Sequence, residues 1–468
     1  MNMRRLAHWV TSTFAVILLL TSGRINAQPG ANGFVPFSEY VATTAAAPFN
    51  PSTGKGPDVA SFEQMRQHIL EMYRGVRVNH SYVLESQTFD CIPIDQQPSL
   101  RKQGLNAIEA TPPALPLPSK TIPGQDRAAG QAAIPVLQIP PSQYDAFGNV
   151  LGCEQHTIPM RRMTLDEMSR FKNLQEFFSK GPNGAGKAPA APAPGPAPAS
   201  NPGSTSNPGV SAGADSRAIP PSPFQHKHAY TYQLVNNVGG NSVLNLWSPY
   251  VYTPWSEVFS LSQVWYVGGG QTVEAGWQNY PAHYGSENSA LFIYWTADNY
   301  QSTGCYNLEC PGFVQVNNTW HLGIGLGNYS TVGGSQYEVP IQWWLYSGNW
   351  WLSVNGTWIG YYPGSIYRGG QLSRYATLIE FGGETVADGA YGYFYYPPMG
   401  SGNWANSWWQ YAAYQRGIYY IDPGNNGQWA GLTGATEAPA CYSEYGPFFD
   451  KSSSWGVYFF FGGPGGWC

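Results

Sequence analysis

The sequence predicts an all-β C-terminal part, folded as an antiparallel sandwich or barrel, behind a small mixed α/β N-terminal region. After about residue 223, β-branched and aromatic runs recur at fairly even spacing between clusters of Gly, Asn, Pro and Ser. Seventeen of the eighteen tryptophans lie after residue 240, in the same part of the chain. No strand–helix–strand alternation is visible, which argues against a nucleotide-binding α/β fold.

The elements follow in chain order. Arg4 and Arg5 precede the apolar run WVTSTFAVILLL (9–20), and Ala27 closes the stretch SGRINA. Residues 1–27 are therefore expected to be a signal peptide. The apolar run falls well short of the roughly twenty residues a bilayer span needs, and no later run is long enough. A secreted, extracellular chain with no membrane contact after signal removal is the expectation. Residues 28–57, with Gly, Pro and Ala and little periodicity, are expected to be irregular.

In 58–78, Phe62, Met65, Ile69, Met72, Tyr73 and Val76 recur at helical spacing, with Asp58 or Ser61 available as N-cap. SYVLESQTFDCIPID (81–95) is expected to be extended, and TLDEMSRFKNLQEFF (164–178) a second amphipathic helix. Residues 181–222 are rich in Pro, Ala, Gly and Ser, a composition that cannot bury enough apolar area to offset chain entropy. They are expected to be a flexible linker, either a plain spacer or a segment meant to be cut. Beyond it, HAYTYQLV, SLSQVWYVG, ALFIYWTAD, TWIGYYP, ATLIEFGGETV, YGYFYYPP and WGVYFFFGG read as strands. IQWWLYSGNWWLSVNG reads as a hairpin turning at Ser347–Asn349.

Residues 223–468 carry thirteen Asp/Glu against five Lys/Arg, a net of −8, in a chain whose total is −5. So acidic a half offers no phosphate-seeking patch, which speaks against nucleic acid as a partner. The six cysteines fall as Cys91 and Cys153, Cys305 and Cys310, Cys441 and Cys468. In an exported chain they suit disulfides. Six cysteines allow fifteen pairings, of which nearest-neighbour pairing is one hypothesis. A metal site is the competing reading, but no spacing is CxxC or HExxH, and neither metal nor organic cofactor is expected.

Only 11% of residues are charged, so carboxylates inside apolar strands stand out. In TVEAGW, strand parity puts Val273, Ala275 and Trp277 on one face and Glu274, Gly276 and Gln278 on the other. In TLIEFGGETV, Glu380 points opposite Ile379 and Phe381; Glu384 shares its face unless Gly382–Gly383 bulges. Two such carboxylates lying close together divide their protons unequally, one activating water while the other protonates a leaving group or polarises a carbonyl. The bland alternative is a set of solvated strand carboxylates.

Other catalytic constellations are missing: there is no G-x-S-x-G, HExxH or D-[TS]-G. His283 reads as a packed loop residue, and His321 has no evident partner. Trp343, Trp344, Trp350, Trp351 and Trp358 suit either core packing, the commoner use, or the walls of a sugar-binding groove.

VEAGWQNYPAHYG, LFIYWTADNYQSTGCYNLECPGFVQ, WIGYYP, EFGGE, MGSG and the closing GGPGGWC together resemble the neprosin family of secreted glutamic peptidases. FDCIPIDQQPSL and CEQHTIPMRR resemble that family's N-terminal activation segment. The resemblance implies an antiparallel β-sandwich catalytic domain of two curved sheets at 223–468. It also implies a pro-domain at 28–180 that acts as an intramolecular inhibitor. The implied activity is acid-active cleavage after proline in peptide or protein substrates by a monomer, with Glu274 and Glu384 acting on a water. Glu380 stands where the family often has Gln, so it is the weaker alternative for the second acid. The pairs Cys305–Cys310 and Cys441–Cys468 map onto family cysteines. Lys227, where an acid is expected, and Ser286, where Asp is usual, depart from the pattern. The rivals are a two-carboxylate glycoside hydrolase and a non-catalytic carbohydrate- or wall-binding sandwich.

Overall fold

The computed structural model describes residues 33–50, 56–105, 108–118, 131–133, 143–180, 224–254, 256–451 and 453–468. The expected signal peptide (1–27) and linker (181–222) lie outside these residues. Pro36–Cys468 form one compact unit, and another ends at Val35.

In the N-terminal part, the helix Val59–Met72 buries Phe62, Met65, Ile69 and Met72, with Asp58 as N-cap accepting from Ser61 N at 2.7 Å. The stretch expected to be extended is a hairpin, His80–Leu84 with Gln87–Pro93, which Thr157–Arg161 extends to three antiparallel strands. Two expectations need correction. A helix, Phe37–Ala46, lies in the lead-in expected to be irregular. Its anchors are tertiary and so leave no periodicity: Tyr40 donates to Met163 O at 2.6 Å and lies under the Arg162 guanidinium. The single helix expected over 164–178 is two short ones, Leu165–Met168 and Leu174–Phe178. Thr164 caps the first through a capping box with Glu167, and Asn173 starts the second by accepting from Glu176 N. The break turns Phe171 and Phe177 onto the ring of His283 and sends the chain end inward.

The C-terminal part is a β-sandwich. The six-stranded sheet runs, in spatial order, Thr433–Thr436, Phe224–Asn237, Ala376–Asp388, Glu257–Gly268, Gln271–Asn279, Ala290–Thr296, every pair antiparallel. The larger sheet centres on Gln336–Tyr346, Gly239–Asn245 and Ala413–Ile421. Gln131–Ala133 adds to it as a parallel strand beside Gln336–Glu338. Val264, Tyr266, Trp277, Ile379 and Phe381 from the small sheet meet Leu244, Ile341, Trp343, Trp350 and Phe461 from the large one in a single buried core.

The tryptophans of the hairpin are thus packing residues. Trp343, Trp344, Trp350 and Trp351 are buried, and Trp358 leans on Trp351. The hairpin itself turns at Ser347–Gly348, between strands ending at Tyr346 and starting at Asn349. The six cysteines form three disulfides, Cys91–Cys153, Cys305–Cys310 and Cys441–Cys468.

Candidate active site

Register on the small sheet decides which side chains meet. Trp265 pairs with Glu380 on one neighbouring strand and Glu274 on the other, while Leu261 pairs with Glu384 and Gln278. Side chains at paired positions share a face, so all three glutamates lie on the face away from the core. Pairing runs unshifted from Leu378 to Val386 on both sides, so Gly382–Gly383 does not bulge and Glu384 keeps the face of Glu380.

That face is roofed by the end of the N-terminal segment. Lys180, 1% exposed, inserts its ammonium between two carboxylates, 2.6 Å from Glu274 Oε2 and 2.9 Å from Glu384 Oε2. The ring of Trp265 lies beneath it at 5.1 Å. Glu274 is fully buried, and its outer oxygen accepts from Thr272 Oγ1 at 2.7 Å and Tyr300 OH at 2.5 Å. The outer oxygen of Glu384 meets His226 Nδ1 at 2.5 Å, and Gln263 Nε2 donates to its inner oxygen at 3.1 Å. His228 Nε2 stands 3.6 Å from that outer oxygen, while its Nδ1 is 2.8 Å from Glu437 Oε2.

The charges follow from these contacts. Burial pushes Glu384 up, but Lys180, His226 and His228 outweigh it and hold the carboxyl well below its ordinary range. Burial pushes His228 down, yet Glu384 and Glu437 bring it up to about 9, so it is an imidazolium at neutral pH. Glu380 differs. It is fully buried, neither of its oxygens has a hydrogen-bond partner among the described residues, and burial drives it well above the carboxylate range. The structure therefore joins Glu274 and Glu384 through one ammonium and leaves Glu380 beside them as a neutral acid.

The loop carrying Tyr300 is held in an unusual shape. Asn299 and Tyr300 both have left-handed backbone, φ 58° and 60°. Asp298 accepts from the backbone amides of Gln301, Ser302 and Thr303, and Thr296 Oγ1 accepts from Tyr300 N. Strain of this kind persists only when the surroundings over-determine it, and here it aims a phenol at Glu274.

Several of these residues escaped the sequence reading. Lys180 carries no signal at all in one dimension. His226 and His228 did have one, since the alternation of HKHAYTY sends both to one face and Lys227 to the other. The two histidines singled out earlier lie elsewhere. His283 is buried and bonded to Glu309, which also takes Arg161 and so pins the N-terminal segment to the sandwich. His321, with no evident partner in the sequence, meets Tyr82 OH at 2.5 Å, on the N-terminal hairpin.

Residues 256–464 match the family model described as Neprosin. This stretch is a neprosin domain. The neprosin domain contains Glu274, Glu380 and Glu384 together with Gln263, Thr272, Tyr300 and Glu437, whereas Lys180, His226 and His228 come from sequence upstream of the match. Among solved structures, a crystal structure of Scytalido-glutamic peptidase with a peptide-based transition-state analogue aligns at TM-score 0.28 and 10% identity. It covers 50% of this chain and 96% of that one. So slight a likeness leaves the chemistry of the neprosin domain to its own residues.

Proposed function

We propose that this protein is a secreted, acid-active glutamic endopeptidase that cleaves after proline and is made as a zymogen. In this reading residues 28–180 are the pro-domain, 181–222 the linker and 223–468 the catalytic domain. Glu274 and Glu384 form the catalytic pair, and no cofactor takes part. The observation that carries it is the Lys180 ammonium, within hydrogen-bond reach of both inner carboxylate oxygens. Once that ammonium leaves, a water can sit in its place and touch both acids. One carboxylate takes the water's proton as its oxygen attacks the peptide carbonyl and later passes it to the leaving amine, while the other, protonated, polarises that carbonyl.

The neprosin match supports a peptidase over a sugar-active enzyme, and the hairpin tryptophans, being buried, offer no sugar groove. Proline preference rests on the family resemblance, and the flat rings of Trp265, Tyr294 and Tyr300 around the site suit a pyrrolidine. Latency rests on Lys180, which fills the place the water needs. Acid favours release. The depressed Glu384 carboxyl gives the ion pair its strength above the ordinary carboxylate pKa, and that strength is lost as pH falls through the lowered value.

The test is digestion of a quenched proline-containing peptide across pH 2–7 with mass analysis of products, by wild type, Glu274→Gln, Glu384→Gln and Glu380→Gln. Cleavage after proline that is lost in the first two variants and kept in the third supports the pair. No cleavage by a folded, processed wild type defeats it.

A further inference from the structure

The two carboxylates of the pair are dressed differently, and the difference assigns their roles. This rests on the catalytic-pair reading above. We infer that Glu384 is the general base, and that His226, His228 and Glu437 are positioning residues that keep it ionised after Lys180 has gone.

The contacts around each acid carry the inference. The outer oxygen of Glu274 is held by two neutral hydroxyls, Thr272 and Tyr300. Glu384 is held by nitrogen donors: His226 on the outer oxygen, Gln263 on the inner, and His228 at ion-pair distance. His228 is itself bracketed by a second carboxylate, Glu437, so an imidazole lies between two acids. That arrangement stabilises the imidazolium, and the imidazolium in turn stabilises Glu384. Lys180 contributes a positive charge to both acids, at 2.6 Å from Glu274 and 2.9 Å from Glu384, but it belongs to the segment that leaves. The imidazolium stays, on a strand hydrogen-bonded to that of Glu384.

The other titratable groups facing Glu384 do not offset it. Glu274, on the far side of the Glu257–Gly268 strand, is the like charge it competes with. Glu380, on its own strand, is neutral through burial, and Tyr300 keeps its proton for the same reason. Two acids that share one small site cannot both stay ionised once the ammonium is withdrawn. The one beside the imidazolium keeps the charge, and Glu274 takes the proton.

The chemistry then balances. A water oxygen bonds to the carbonyl carbon, its proton passes to Glu384, and the proton of Glu274 moves to the former carbonyl oxygen. In the second half, Glu384 gives its proton to the amide nitrogen, the carbon–nitrogen bond breaks, and a hydroxyl proton of the diol returns to Glu274. Both acids are restored and one water is consumed.

The experiment measures kcat/KM against pH for acid-processed wild type, His228→Gln, His226→Gln, Glu437→Gln and Tyr300→Phe on one quenched peptide. The acidic limb reports protonation of the base. In His228→Gln that limb moves to higher pH by about one unit or more, the usual effect of removing an adjacent opposite charge, with KM little changed. In Glu437→Gln it moves the same way by less. Glu437 is 40% exposed, so this variant keeps the test alive if a buried histidine cannot be replaced without loss of folding. An unmoved limb in both variants, whatever the drop in rate, reduces the histidines to a structural role and overturns the inference. So does a limb that moves in Tyr300→Phe but not in the histidine variants, which makes Glu274 the base. A folded, processed wild type that cuts nothing overturns the pair itself, a different failure that removes the basis of the inference.

Discussion

Lys180→Met removes the ammonium while keeping an unbranched side chain of similar reach. The wild-type ammonium is 1% exposed and makes two contacts under 3 Å to carboxylates that are themselves buried. Deleting one partner of such a buried set costs about 3–5 kcal/mol, because charge is left without its counterion. The lower end is the better figure here, since one of the two acids can take up a proton and relieve the repulsion. About 3 kcal/mol weakens the hold of the segment roughly 100-fold. The assay is cleavage of the quenched peptide at neutral pH by intact full-length protein, with mass measurement to show that the chain is uncut. Full-length Lys180→Met is expected to show activity where full-length wild type is silent. A folded Lys180→Met that stays as silent as wild type would refute the plug and place latency in the bulk of the segment.

Three further outcomes are expected. Tyr300→Phe removes a phenol that donates to Glu274 at 2.5 Å, a bond that strengthens by about 1–1.5 kcal/mol as that acid gives up its proton; kcat should fall about 10-fold with circular dichroism unchanged. Glu380→Gln replaces an acid that is already neutral and unbonded, so activity within about threefold of wild type and an equal or higher Tm are expected. Asp298 is burdened by burial but drawn down to about 2 by its bonds to Ser302 and Thr303. The Tyr300 loop should therefore keep its support from neutral pH down through pH 4 and lose it as pH approaches 2, an effect readable as the pH at which the Tm of Asp298→Asn ceases to differ from that of wild type.

How far the site was legible from sequence depends on range. Parity within a strand is a local rule, so the shared face of Glu274, Glu380 and Glu384 could be read directly, and the unshifted pairing from Leu378 to Val386 is why it held. What separates Glu380 from Glu384 is not local. It comes from a lysine 94 residues from Glu274 along the chain and from histidines on the neighbouring strand. The helices that went wrong failed for the same reason: Phe37–Ala46 is held by Arg162, and the segment after Ser169 bends to follow the surface around His283. Tryptophan-rich runs signalled a core correctly because bulk and β-propensity act wherever the strands happen to pair.

The three disulfides respect the division between the two parts of the chain. Cys91–Cys153 closes within the N-terminal part, and Cys305–Cys310 and Cys441–Cys468 close within the sandwich. With all six cysteines paired in this way, the peptide chain between Lys180 and Phe224 is the covalent tether that joins Lys180 to the glutamates. While that tether is whole, the ammonium meets its site at an effective concentration in the millimolar range, independent of how dilute the protein is. One cut turns the same contact into an ordinary encounter between two molecules. In the zymogen reading proposed above, dilution then works against return of the released segment, and a reversible acid-dependent loosening becomes a one-way change of state.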